Sequence, residues 1–195
     1  MSGITGTQAE LLFVTGTAVT KNTFTTQAAI TGVLGTNPVC YIPAGFFAND
    51  NPNPINRCLK YEVYGNTATT SAATLLVAIG INPVAGAITS PVPQTIAGAL
   101  APTAAVTCPF KLEAYITCTA YATSTMTLTL NGTWRVESVA SGGVPTTAAQ
   151  CSAFGFTFTT PDPRVAQYVE TFGTWSVSAA GNTTTVQQQF LWGLN

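Results

Sequence analysis

The stretch "TMTLTLNGTWRVES", residues 125–138, decides how this chain folds. Asn131-Gly132 is the strongest short hairpin signal a sequence can carry, because both residues tolerate positive φ. The flanking parity opposes a turn there. Met126, Leu128, Leu130, Trp134 and Val136 all occupy even positions, with Gly132 among them. A two-residue turn at 131–132 would set Leu130 opposite Thr133, so that Thr133, Arg135 and Glu137 would share the apolar face. Such a slip moves a whole side-chain set to the wrong side, and a half-buried sheet resists it. The stretch reads as one long strand, with Gly132 the place for a bulge if there is one.

Its partner precedes it. "FKLEAYITCTA" at 110–120 alternates as cleanly, with Phe110, Leu112, Ala114, Ile116 and Cys118 on one side. A three-residue loop at Thr123-Ser124-Thr125 would set Ala122 opposite Met126, so paired residue numbers would sum to 248. That register places Lys111 opposite Glu137 and Glu113 opposite Arg135, a favourable cross-strand arrangement. Lys60-x-Glu62 repeats the pattern of Lys111-x-Glu113 and Arg135-x-Glu137, each putting a cation and an anion on one face of a strand.

The rest is punctuated by Gly, Pro and Asn, and no long segment has a 3.6-residue apolar period. Strands are predicted at "AELLFVTG", "AVTKNTFTT", "PVCYIP", "RCLKYEVYG" (57–65), "TLLVAIGI" (74–81), "AFGFTFT", "QYVETFGTWSVS" (167–178) and "TTVQQQFLWGL" (184–194), with a short one near "AGAITS". "FFANDNPNPIN" and "ASGGVPTTAAQ" read as loops. Eight or more strands without a helix indicate an all-β sandwich or barrel in one domain.

Of the 195 residues 46% are hydrophobic but only 7% charged, against roughly a quarter in ordinary globular chains. No window reaches the about 20 continuous apolar residues of a spanning helix. Polarity comes from 35 threonines, which suit a pleated surface. Six cations against seven anions, none clustered, argue against nucleic-acid binding. Between Val63 and Phe110 no side chain is charged at all. The N-terminus lacks a basic region and its apolar run is only Leu11–Val14, which is not the pattern of a signal peptide. Cys40, Cys58, Cys108, Cys118 and Cys151 form no C-x-x-C and have no histidine beside them, so they read as reduced, buried thiols, not a metal site or disulfide framework.

With no histidine there is no Ser-His-Asp or Cys-His arrangement. Most of the five Glu residues sit beside a cation on a predicted solvent face, where a salt-bridged sheet outweighs a glycosidase pair. No catalytic, cofactor-binding or metal-binding residue is assigned, and a non-enzymatic protein is expected. Trp134 and Trp175 have core parity; Trp192 is the one candidate for a sugar platform.

Three blocks carry a resemblance: "IPAGFFAND…RCLKYEVYGNTATTSAATLLVAIGI", "PFKLEAYITCTAYATSTMTLTLNGTWRV" and "GTWSVSAAGNTTTVQQQFLWGLN". Over residues 38–195 the chain resembles tailed-bacteriophage virion proteins of the jelly-roll decoration (cement) type, with residues 1–37 an arm or extra strands outside the match. The resemblance implies a single jelly roll with sheets B-I-D-G and C-H-E-F. In that wiring strand C is 57–65, E is 110–121, F is 125–138 and H is 167–178, which would gather Lys60, Glu62, Lys111, Glu113, Arg135, Glu137 and Glu170 on one sheet. It also implies a homotrimer on the outside of a phage capsid, bound to the major capsid protein and made in the bacterial host cytoplasm. The uncharged stretch from Val63 to Phe110 would be the contact region. The alternative is a carbohydrate- or receptor-binding jelly-roll module of a phage head or tail fibre. A small self-assembling coat protein is weakened by the lack of a basic arm.

Overall fold

The computed structural model describes residues 9–31, 40–47, 57–70, 73–82, 84, 93–96, 101–102, 106–122, 125–137, 150–161 and 164–194. Among them there is no helix, and every strand pairing is antiparallel. The strands are β1 (Ala9–Thr15), β2 (Val19–Asn22), β3 (Ala28–Ala29), β4 (Tyr41–Ile42), β5 (Cys58–Ala68), β6 (Leu75–Asn82), β7 (Gln94–Thr95), β8 (Thr107–Ala122), β9 (Thr125–Val136), β10 (Gln150–Pro161), β11 (Gln167–Trp175) and β12 (Thr183–Leu194). The larger sheet runs β1-β12-β5-β8-β9-β10, with β2 also on β12; the smaller runs β3-β11-β6-β7, with β4 also on β11. Residues 9–31 therefore supply strands to both sheets. The predicted strand near "AGAITS" and the loop at "ASGGVPTTAAQ" fall almost wholly outside the described residues.

The alternation is what makes these strands pack. On β5 Leu59, Tyr61 and Val63 are fully buried, on β8 Leu112, Ala114 and Ile116, on β9 Leu128, Leu130 and Trp134. They join Leu75, Val77, Ile79, Val169 and Trp175 of the smaller sheet in one core cluster. A buried polar seam crosses it. Tyr61 Oη lies 3.1 Å from Thr171 Oγ1 on β11, and Thr31 Oγ1 accepts from the Thr171 amide at 2.8 Å. Gln189 Nε2 of β12 donates to the Thr31 carbonyl. Burial pushes the Tyr61 hydroxyl far above its ordinary value, so it stays a neutral partner.

Asn131-Gly132 lies inside β9, as the parity required. The register differs from the predicted one. Phe110 through Cys118 pair with Val136 through Leu128, a sum of 246, and Lys111 sits opposite Arg135. The bulge falls between Cys118 and Ala120, not at Gly132, and Ala122 pairs with Thr125, so two residues connect the strands where three were expected. Parity fixes a register only to within two residues. The charges were used to break that tie on the assumption that they pair between β8 and β9, and they do not. Lys111 Nζ contacts Glu113 at 2.6 Å on its own strand and Glu62 at 3.4 Å on β5, while Arg135 Nε contacts Glu137 at 2.7 Å two residues on. With both cations satisfied elsewhere, their opposition costs little.

The strand order also departs from the expected wiring. β11, the predicted strand H, lies in the smaller sheet against β6, and β5 pairs directly with β8. Glu170 is thereby separated from the other six charges and is 2% exposed. β11 is buried along most of its length, consistent with its place between β6 and the short β3 and β4. All five cysteines are free, as read from the sequence, but only Cys40, Cys108 and Cys118 are buried; Cys58 is half-buried and Cys151 exposed. Burial pushes the Cys40 and Cys118 thiols up, Cys40 further under the charge of Glu170, which keeps them protonated and unreactive.

Candidate functional site: the outer face of the larger sheet

The residues that alternate with the core stand on the other side of the larger sheet. β5 contributes Lys60, Glu62 and Tyr64, β8 contributes Lys111, Glu113 and Tyr115, and β12 contributes Phe190 and Trp192. Glu62 and Glu113 are directly opposite each other, an arrangement that is unfavourable for a bare pair of carboxylates. Two lysines complete a square around them. Lys60 Nζ lies 3.1 Å from Glu62 and 3.6 Å from Glu113, and Lys111 Nζ lies 3.4 Å and 2.6 Å from the same two. Indole and hydroxyl donors from Trp192 and Tyr115 take the oxygens that the lysines leave, and the Tyr64 hydroxyl shares Glu62 Oε1 with them. Tyr64 Oη donates to Glu62 Oε1 at 2.8 Å, Trp192 Nε1 to Glu62 Oε2 at 3.2 Å, and Tyr115 Oη to Glu113 Oε1 at 3.2 Å.

Aromatic rings frame the square. Lys111 Nζ is 5.3 Å from the centre of the Tyr64 ring and Lys60 Nζ 5.9 Å from that of Tyr115. Phe190 and Trp192 are nearly parallel, 6.2 Å apart, and Tyr64 meets Phe190 edge-on. β1 extends the surface: Leu11 pairs with Trp192 and Val14 with Phe190, and they are 44% and 52% exposed. The result is an apolar and aromatic face whose central charges cancel internally.

Desolvation opposes ionisation of Glu62, but its bonds from Tyr64, Lys60 and Lys111 outweigh it and hold the carboxyl below the usual range. The hydrogen bond from Lys111 does the same for Glu113, and its reciprocal raises the Lys111 ammonium. Burial works against Lys60, yet its hydrogen bond and ion pair with Glu62 raise it too. The sign follows. Two carboxyls with depressed folded pKa add stability above about pH 4.3, lost as pH falls through their folded values. Two lysines with raised folded pKa add stability below about pH 10.4, lost as pH rises through theirs. With no histidine in the chain, the urea midpoint is expected to be flat from about pH 5.5 to about pH 7.5 and to fall on both sides, the alkaline limb beginning at about pH 8.5 with the buried Cys40 and Cys118 thiols, whose folded pKa is raised, before the lysines add to it. Glu62→Gln with Glu113→Gln removes part of the acid limb; a midpoint that steps near pH 6.5 would contradict this account.

Of the three tryptophans, Trp134 and Trp175 are 1% exposed and belong to the core, while Trp192 is half-buried on this face. Sequence reasoning missed Tyr64, Tyr115, Phe190, Leu11 and Val14 as its neighbours. The positions of Tyr64, Tyr115 and Phe190 in "KYEVY", "LEAY" and "QFLW" carry the alternation that could have found them, whereas Leu11 and Val14 flank a register shift that breaks it. The contact region expected between Val63 and Phe110 is poorly suited to that role where it is described, since Leu75–Asn82 is almost entirely buried; much of the remainder is outside the described residues. A cavity of about 320 Å³ at the end of the sheet is lined by Glu10, Leu12, Phe46 and Arg57 among others. Arg57 is already engaged there, donating to the Phe46 carbonyl and lying 5.3 Å from the centre of its ring. Among the described residues no cluster of His, Cys, Asp or Glu could hold a metal ion, and no helix is long and apolar enough to cross a membrane. No family model, curated protein or solved structure matches the chain.

Proposed function

We propose that this is a non-enzymatic structural protein of a tailed-phage virion that decorates the assembled head, binding the major capsid protein as a homotrimer through a jelly-roll-related sandwich. The residue pattern quoted above supplies the family resemblance. The observation that carries the binding mode is the outer face of the larger sheet. Its lysines and carboxylates are already paired and hydrogen-bonded within the chain, so covering them strands no lone charge. Leu11, Val14 and Tyr115 leave apolar area to bury around them. A trimer presenting three such faces gains affinity by avidity without any added chemistry.

The test is saturable binding of the purified protein to undecorated capsids. Leu11→Asp with Val14→Asp sets two unpaired anions in the contact and is expected to weaken capsid occupancy by more than about tenfold, with the melting temperature little changed. Mass photometry gives the copy number per assembly in the same samples. Undiminished binding by the double variant, or a monomer both free and on the particle, would overturn the reading. A second reading is favoured by the near-parallel Phe190 and Trp192 beside a carboxylate: a carbohydrate-binding module. Glycan-array signal abolished by Trp192→Ala, without capsid binding, would select it.

A further inference from the structure

The outermost strand of the larger sheet, β10, is paired with β9 alone among the described strands. Its ladder runs through twelve consecutive pairs without a bulge, and residues 150–161 include no charged side chain. Proline enters only at the last position, Pro161. Long edges are ordinarily blunted by lysine, proline, a bulge or shortness, because open backbone groups recruit other strands. The opposite edge of the same sheet is blunted in just those ways. It is split between β1 and β2, bulged between Leu11 and Phe13, and carries Glu10 and Lys21. In the smaller sheet β3 and β7 are two residues each. β10 stands apart from all of them.

Its inward side is incompletely covered. Phe158 is buried, but Phe154 and Phe156 are half-buried and stack on each other at 5.4 Å. We propose that β10 is a self-association strand, pairing antiparallel with β10 of a second copy about a two-fold axis at Gly155. An uncharged strand meets no like-charge repulsion from its own copy, and a two-fold makes an antiparallel pair from identical strands. Paired numbers then sum to 310. Phe154 faces Phe156 of the second copy and the reverse, completing a four-ring cluster over the sandwich end; aromatic cross-strand pairs are among the stabilising ones. On the outer side, Ala153 faces Thr157 and Cys151 faces Thr159, all four of them exposed here. A nine-residue ladder of about 30 Å with four part-covered rings makes a small interface, below roughly 1,200 Å², and so a micromolar association. The inference rests on this edge and is independent of the virion reading; a two-fold contact does not close a threefold ring, so on a particle it would join one trimer to the next.

The register gives the test. Thr159→Cys sets a second thiol opposite Cys151 of the other copy, and mild oxidation is expected to yield a disulfide-linked dimer on non-reducing gels. Thr157→Cys, which faces Ala153, should give no more dimer than the wild type. Sedimentation equilibrium supplies an independent measure. Ala153→Lys with Thr157→Lys opposes like charges and should weaken self-association, whereas Ala153→Lys with Thr157→Glu opposes unlike charges and should associate at least about tenfold more tightly than the first. A wild type that stays monomeric to its solubility limit, equal cross-linking at 157 and 159, or equal association of the two double variants would each overturn the proposal.

Discussion

Trp134→Ala is expected to lower the unfolding free energy by about 3–5 kcal/mol, the range for truncating a buried large aromatic. Trp134 is 1% exposed, its ring lies 5.0 Å from that of Phe110, and it sits opposite Leu112 of β8 and Ser152 of β10. The cavity opens between central strands of the larger sheet, where backbone hydrogen bonds on both sides hinder collapse. The urea midpoint should fall with the m-value unchanged, and the melting temperature by roughly 10 °C for a chain of this size. Trp192→Ala provides the contrast. On the outer face its loss should cost about 1 kcal/mol, one charged hydrogen bond and part of a ring contact. Equal costs for the two would mean that the face assigned to binding is core.

Gly132→Ala is expected to cost about 3 kcal/mol, at the upper end for overpacking. A Cβ there would stand 2.0 Å from the Glu113 carbonyl oxygen, 2.8 Å from Phe154 Cζ and 2.9 Å from Ala114 Cα. Two of those neighbours are backbone atoms of the adjoining strand, which cannot give way without opening the β8–β9 ladder. Phe154→Ala should therefore rescue only part of the loss. Gly16→Ala, with nothing within 4 Å of the new methyl, is the neutral comparison. Full rescue by Phe154→Ala would show that the ring alone excludes the side chain. The same contacts explain the dipeptide at 131–132: glycine is present there for close approach beneath an aromatic ring, not for a turn.

The all-β architecture, the continuity of β9 through Asn131-Gly132 and the inward residues of β5, β8 and β9 could all be read before any coordinates. Each is a property of one strand, and the period-two alternation of apolar side chains states it directly. The core position of Trp134 and Trp175 followed from the same parity. Three things could not be read in that way. The pairing of β8 with β9 was open to a shift of two residues, because Leu112 is equally well buried against Trp134 or Val136. The placement of β11 in the smaller sheet was open because a strand's own sequence does not name its neighbours. The square of Lys60, Glu62, Lys111 and Glu113 required knowing that β5 and β8 adjoin; from sequence alone its members looked like two separate pairs. Local alternation determined which side of each strand faces the core. Tertiary packing alone decided which strands meet and in what register, because those choices depend on energies shared between segments far apart in the chain, and the charges that seemed to report them were satisfied along their own strands and across β5 to β8.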